Sequence, residues 1–396
     1  MKRHESGWRN VLVIGGGPAG SAAAIRLRDH GITTTLVEQK TFPRDKVCGC
    51  CLGGAGIDAL GHLGCRDAVL RHARTLRVWQ GSLGGRSVCL PLRNNIAVSR
   101  EALDVELLAH ARDRGATIRQ PATATIQNVA PEGVEVRVRH AAAPAESSVT
   151  VFDGVIVAAG LSAAVPAGVL PWIDRPHGPF GVSVKADQGD GFPEDAVMMV
   201  CDDDGYVGLV ELVDGRIDVA AALKSGGPAA KLASPIERVV SMLRRSDLVG
   251  RSDWFDAEAI SASPEIMTTP PLRRSRLAGS GRLMLIGDAA GYVEPFTGEG
   301  MTWAMQAGLA AGDFVAGGGP SSLRGVPPSS LADHWPAELD RVLGRQRRTC
   351  RMISSALRRP FLRRLGGGLL AGFPGVASPV IRHLNRGVSF PGLSSD

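Results

Sequence analysis

Two clusters near the start of the chain have the residue types and spacing that chemistry needs. Gly15-x-Gly17-x-x-Gly20 comes directly after the apolar run Val11 to Ile14. At that spacing the first glycine permits a tight turn. The second lets the backbone approach a pyrophosphate at the positive end of a helix that Pro18 and Ala19 would open, and Gly20 lets helix and strand pack closely. Glu38 ends a second apolar run 18 residues after Gly20, where a carboxylate accepts ribose hydroxyls, and Gln39 adjoins it. These residues predict a bound dinucleotide without choosing between NAD and FAD. The second cluster is FPRDKVCGCCLGG, Phe42 to Gly54, with Cys48, Cys50 and Cys51. Adjacent cysteines suit neither a zinc knuckle nor an iron–sulfur run, so no metal is expected. The CxxxxC spacing of a flavin-linked dithiol is also missing. A catalytic or redox-sensing thiol among the three remains, with Arg44 and Lys46 as nearby cations that would favour a thiolate at Cys48. The competing reading is three small packing residues where backbone must approach a cofactor.

The elements that would position these groups are legible. Val11 to Ile14 is continuous and β-branched, as in a parallel strand buried on both faces. Ala19 to His30 is a helix with Gly31 at its left-handed cap, and Thr33 to Glu38 is the second strand. Ser99 caps a helix that ends at Gly115, and Gly154 to Gly160 reads as another buried strand. Between them TIRQPATATIQNV and VEVRVRH alternate like a meander. From about 170 to 275 short strand-like runs are separated by Gly/Asp turns, which predicts an antiparallel sheet.

A third motif lies far along the chain. RLMLIGDAAGYVEPFTGEGM places Gly287 and Asp288 past the end of an apolar run, with Pro295, Gly298, Gly300 and Met301 next before a helix. This combination resembles the second flavin-binding motif of the glutathione-reductase-type FAD oxidoreductases. With FPRDKVCG it is most similar to the geranylgeranyl reductase-like family, which is related to the flavoprotein aromatic hydroxylases. The resemblance implies an α/β fold: a Rossmann-like FAD-binding domain with an inserted antiparallel β-sheet substrate domain and a C-terminal helical segment. It assigns 1–70, 100–164 and 276–325 to the FAD domain, 71–99 and 165–275 to the substrate domain, and 326–396 to the helical segment. It also implies that Asp288 bonds a ribityl hydroxyl, that backbone amides of TGEGM reach the pyrimidine edge of the isoalloxazine, that Arg100 and Gly160 lie near FAD, and that Cys48 lies near the flavin ring. A helix N-terminus at that edge would stabilise negative charge on the reduced ring. One departure concerns the hydroxylase Asp-Gly pair: this sequence has VAAGLSA, with Ala159 where the aspartate would stand. NADPH use in the hydroxylase manner is not implied.

Composition narrows the rest. The chain has 396 residues, 44% of them hydrophobic and 21% charged, enough for a large core. Its net charge of +6 is local: residues 341 to 396 hold eleven arginines and one acid, so the remainder sums to −4. A nucleic-acid partner is therefore not expected. Seven cysteines without a secreted framework imply a reducing cytoplasm. The glycine fingerprint inside the apolar start argues against reading it as a signal peptide. The longest apolar stretch of the tail, Leu365 to Ile381, is broken by Pro374 and Pro379 and is too short to span a bilayer. The arginines before it alternate with apolar residues, which points to a helical cover over a lipophilic channel or a peripheral contact with anionic lipid. No two tryptophans stand two residues apart, so the tryptophan-halogenase signature is missing.

The expected activity is FAD-dependent, with NAD(P)H or an electron-transfer partner as donor. It is hydride transfer from reduced flavin to a C=C bond of a lipophilic isoprenoid or polyketide-type substrate. The alternative is a monooxygenase acting on an aromatic or polyketide substrate through a flavin hydroperoxide. A non-catalytic FAD scaffold sensing redox state through its cysteines is a third reading. The sequence leaves the oligomeric state open.

Overall fold

The computed structural model describes residues 7–166, 168–174, 178–187, 191–226, 233–250, 252–272, 274–294, 296, 298–318 and 325–384. The run Asn10–Ile14 (β1) is the inner strand of a six-stranded sheet. It pairs in parallel with Thr33–Val37 (β2) on one side and Gly154–Val157 on the other. Beyond these lie Thr117–Arg119 and Leu283–Leu285, also parallel, with Gly279–Ser280 as an antiparallel edge. Val11, Leu12 and Val13 are inaccessible to solvent, as a strand covered on both faces must be.

Helices cover this sheet. Pro18–Asp29 (α1) is buried from Pro18 to Leu27 because the helix Gly300–Asp313 lies across it, itself buried along almost its whole length. Close approach of the two needs Gly308, where a Cβ would come 2.7 Å from the Ala22 methyl. The buried Arg26 guanidinium meets Asp313 at 2.6 Å, and His30 meets the same oxygen at 2.7 Å. The expected meander is three-stranded: Ala122–Ala130, Gly133–His140 and Ala143–Phe152.

The inserted sheet has eight strands, in the order Met267–Pro271, Phe180–Ala186, Ile217–Leu223, Gly205–Glu211, Ala196–Asp202, Ala73–Leu83, Arg86–Val98 and Cys51–Leu52. All pairs are antiparallel except Ala73–Leu83 with Ala196–Asp202, the seam where the two chain segments meet. The sheet also recruits Cys51–Leu52, paired Cys51↔Ala97, from the stretch read as part of the dinucleotide unit. The cysteine loop thereby spans both domains.

The helix Trp335–Leu357 departs from the expectation of a basic cover. Its Trp335, Leu343 and Cys350 are fully buried, and Trp335 Nε1 donates to the Leu285 carbonyl at 2.9 Å, so it belongs to the FAD-domain core. The exposed cover is formed instead by the two later helices, Pro360–Gly372 and Ser378–Leu384. Among the described residues no helix is long and apolar enough to cross a membrane.

Candidate active site

The three glycines of the fingerprint do different work. Gly15 sits at φ +108°, a conformation that favours glycine, and its N–H donates to the Val37 carbonyl at 2.8 Å. A Cβ on Gly20 would collide with the Gly15 carbonyl, so that glycine serves packing between turn and helix. Gly17, the N-cap of α1, has ordinary extended backbone. A Cβ there would meet no packed wall, only Lys46 Nζ at 3.5 Å and Arg100 Nη2 at 3.6 Å. Two cations thus face the positive end of a helix across an open cradle. Both are tied to Asp104, 1% exposed: Lys46 Nζ at 2.8 Å, and Arg100 through Nε at 2.9 Å and Nη2 at 2.8 Å. Burial works against the Arg100 charge, yet Asp104 outweighs it and raises Arg100 above its ordinary value. Burial and then Arg100 hold Lys46 below its own. Two charges against one leave a net cation where a phosphate would sit.

Glu38 is 5% exposed and accepts from two backbone donors, Gly16 N–H at 2.8 Å and Lys40 N–H at 2.9 Å. These bonds fix its carboxylate at the cradle's edge, beside Gln39, with Arg44 Nη2 at 4.0 Å. Pro18 and Ala19 line the same cavity.

The second half of the cradle comes from the turn after Leu283–Leu285. Gly287, at φ +60°, leaves 3.0 Å between a built Cβ and the Ala19 methyl, bringing this turn against the first. Asp288 is exposed only into the cavity it lines. Enclosure raises its carboxyl above the usual range, opposed by Arg100, Arg347 and Lys46. Gly298 lies at φ +81°, with 3.1 Å to the Cys51 Cβ, and Gly300 opens the next helix with Met301 buried at the cavity wall. Gly160, at φ +67°, contributes another open stretch of backbone. Pro295 lies outside the described residues. The described groups line a cavity of about 1460 Å³, which continues past them into a chamber walled by Trp79, Leu90, Met199, Phe296 and Leu357.

Cys48 lines this cavity, half-buried; Cys50 is buried and Cys51 lies in the short strand beside it. The Cys48 thiol is pulled down to about 7, first by a hydrogen bond from the Cys50 thiol and then by Arg100, against burial. That corrects the reading of Arg44 and Lys46 as the groups that activate Cys48: Arg44 faces Glu38 and Lys46 is held by Asp104. Cys50 is held well above the ordinary thiol range by its bond to Cys48 and by burial, and Cys51 is raised by burial. Sequence reasoning missed four buried charged residues around this loop: Asp104, Lys185, Asp218 and Glu299. Asp104 alone had a local signal, its i,i+4 spacing from Arg100.

The donors present fit FAD. The open face of Gly17, the cations above it, the anchored Glu38 and the left-handed turns at Gly287 and Gly298 leave room for a dinucleotide.

The comparisons with known proteins agree. A family model described as an FAD binding domain matches residues 9–153. The chain is 28% identical over 356 residues to menaquinone reductase of Mycobacterium tuberculosis, covering 82% of this chain and 80% of the relative. It is 27% identical over 361 residues to the chloroplastic geranylgeranyl diphosphate reductase of Oryza sativa, covering 84% and 71%. A geranylgeranyl bacteriochlorophyll reductase-like protein of Thermoplasma acidophilum superposes with a TM-score of 0.70 at 16% identity, over 94% of this chain and 97% of that one. Cradle, fold and relatives together show an FAD-dependent oxidoreductase that is similar to the menaquinone and geranylgeranyl diphosphate reductases.

Proposed function

We propose that the chain reduces a carbon–carbon double bond of a lipophilic isoprenoid or polyketide-type substrate, with NAD(P)H or an electron-transfer partner as the source of electrons. One observation carries this reading: the FAD cradle and a chamber with a mostly apolar wall form one cavity. Relatives named for menaquinone and for geranylgeranyl diphosphate, both prenyl compounds, support it. FAD, when bound, supplies the hydride. Lys46, Arg100 and the α1 N-terminus would hold its pyrophosphate, Glu38 its ribose and Asp288 its ribityl chain. The chamber wall excludes water and aligns the chain of the substrate, and the Cys48 thiol holds a proton at the cavity surface. In an anaerobic stopped-flow experiment, photoreduced enzyme mixed with a polyprenyl alcohol is expected to reoxidise without oxygen. Reoxidation that requires oxygen and accelerates with a phenol would instead establish the monooxygenase.

The substrate's route is also proposed. Phe361, Leu365, Leu369, Phe373, Val376 and Val380 are exposed on the C-terminal helices, Phe361 and Phe373 by 75% and 68%. Leu369, Val376 and Val380 line the chamber as well, so its wall continues into this exposed apolar surface. The charged residues of this stretch, from Arg358 to Arg382, are all basic. Such a face fits an anionic bilayer surface from which a prenyl compound could enter. Co-sedimentation with phosphatidylglycerol vesicles is expected, weakened roughly tenfold in a Phe361→Ser/Phe373→Ser double variant and by high salt. Equal partition of both proteins would refute the contact.

A further inference from the structure

Between Met267–Pro271 of the inserted sheet and Gly279–Ser280 of the parallel sheet, the chain passes through Arg274–Ser275, paired antiparallel with Ile173–Asp174. Just past that strand stands Arg276, 8% exposed. Its guanidinium donates to three backbone carbonyls on three separate segments. Nε reaches Ala289 at 2.6 Å, Nη2 reaches Ala163 at 3.2 Å, and Nη1 makes a longer contact with Leu170 at 3.5 Å. Each acceptor needs such a donor. Ala289 belongs to the short 3-10 turn Gly287–Ala290, and Ala163 caps the 3-10 turn Gly160–Ser162. The last carbonyls of a helical turn have no partner inside it, and both residues are buried from water. Leu170 holds φ +51°, a conformation that a side chain disfavours.

Trp172 fixes the guanidinium in place. Its ring centroid lies 3.9 Å from Arg276 Cζ and 4.3 Å from Arg274 Cζ, so one indole carries two cations. Arg274 joins the same pair of turns: its Nη1 donates to the Leu161 carbonyl at 2.9 Å, and its own carbonyl accepts from Tyr292 N–H at 3.0 Å. Burial and then Arg274 bring Arg276 down to about 10, which leaves it charged at neutral pH. Both braced turns face the cavity. Gly160, Leu161 and Ser162 line it from one turn and Gly287 and Asp288 from the other, while Arg276 and Trp172 lie outside the lining. The arginine therefore grips the backbone of the cradle from its far side.

We propose that Arg276, held on Trp172, is the positioning residue that sets the Asp288 turn against the Gly160 turn before the cofactor arrives. Without the fork, the Ala289 and Ala163 carbonyls lose their side-chain donor, and the bonds left to close the turns are Gly291 N–H to Asp288 at 3.2 Å and Ala163 N–H to Gly160 at 3.1 Å. A lysine keeps the charge but has a single nitrogen, on which acceptors from three segments cannot converge. The benefit to FAD is pre-organisation: the Asp288 carboxylate is already aimed at the ribityl chain, so less ordering is left to the binding step. The assignment needs the FAD cradle and holds whatever the substrate.

Arg276→Lys tests it in two ways that do not depend on turnover. In the apoprotein, amide exchange at Ala163 and Gly291 is expected to quicken at least roughly tenfold, while Ser21 in α1, bonded to Gly17 at 2.9 Å, exchanges as in wild type. Flavin fluorescence titration is expected to show FAD bound roughly tenfold more weakly. A double-mutant cycle then identifies the group through which the arginine acts. Asp288→Asn is expected to weaken FAD about tenfold on its own but less than about threefold beside Arg276→Lys, since a misaligned carboxylate has less to lose. Unchanged exchange at both turns, full FAD affinity in Arg276→Lys, or additive losses in the cycle would overturn the assignment. If Arg276→Lys does not fold, Trp172→Leu takes its place, leaving the fork and removing the ring. FAD affinity is then expected to fall about threefold, with faster exchange at the same two amides. No change in either would equally overturn it.

Discussion

Replacing Gly17 by alanine is expected to cost the protein its FAD and leave its fold intact. The backbone there has φ −74° and ψ −175°, which any residue adopts, so the change brings no strain. The added methyl meets only the tips of Lys46 and Arg100, at 3.5 and 3.6 Å, which are ordinary contact distances. What it fills is the space into which the helix N-terminus points. A ligand whose phosphate must reach those amides is pushed away from them and from both cations. Affinity is expected to fall about 100-fold, or about 2.7 kcal/mol, while apo stability shifts by no more than about 1 kcal/mol. Gly20→Ala supplies the contrast. Its methyl collides with the Gly15 carbonyl whether or not FAD is present, so the apoprotein itself is expected to lose about 2 to 3 kcal/mol. Urea unfolding of the two apoproteins, with flavin fluorescence titration of each, separates the cases. Equal loss of stability in both variants would mean that the Gly17 cradle is a packing feature.

These two glycines show what is legible in the sequence. A turn between a buried strand and a helix is local, so the type and spacing of its residues carry most of the information. The same holds for Glu38 at the end of β2 and for the left-handed turns at Gly287 and Gly298. The parallel α/β sheet and the inserted antiparallel sheet are legible for the same reason, as runs of one periodicity bounded by turns. The seam between Ala73–Leu83 and Ala196–Asp202 is not, because nothing in either strand records which edge it will meet. The helix Trp335–Leu357 reads as part of a basic cover because its arginines dominate the pattern. Its apolar residues, Leu339, Leu343 and Cys350 among them, recur on one face and decide the burial. The buried charges behind the cysteine loop are out of reach altogether: Asp45 and Lys185 stand 140 residues apart, and a buried lysine or aspartate has the same letter as an exposed one. Only the register that sets Lys185 beside Asp218 makes them a pair with the cysteine loop.

The wall on the other side of that loop carries its own acid, and its expected signature is the pH dependence of stability. Glu299 is 3% exposed at the N-cap of Gly300–Asp313, and its Oε2 has no hydrogen-bond partner among the described residues. The helix N-terminus favours the carboxylate, but burial dominates and pushes this carboxyl up to about 8, from an ordinary value of 4.5. The folded state therefore prefers the protonated form. The resulting stability is fully present below about pH 4.5 and is lost as pH rises through about 8. Glu299→Gln keeps the shape and the neutral state at every pH, so apo wild type and variant should unfold alike at low pH and diverge above it. The variant should be the more stable by roughly 5 kcal/mol once pH passes 8, an order-of-magnitude figure from the linkage relation. Asp218 and Asp288 titrate in both proteins and cancel in the difference. The functional side comes from position. Glu299 lines the cavity beside Gly298, so a neutral acid there keeps negative charge off the wall that faces the cofactor and can donate a hydrogen bond into it. Urea midpoints of the two apoproteins between pH 5 and 9 measure the effect, and parallel curves across that range would show that Glu299 is already ionised in the folded chain.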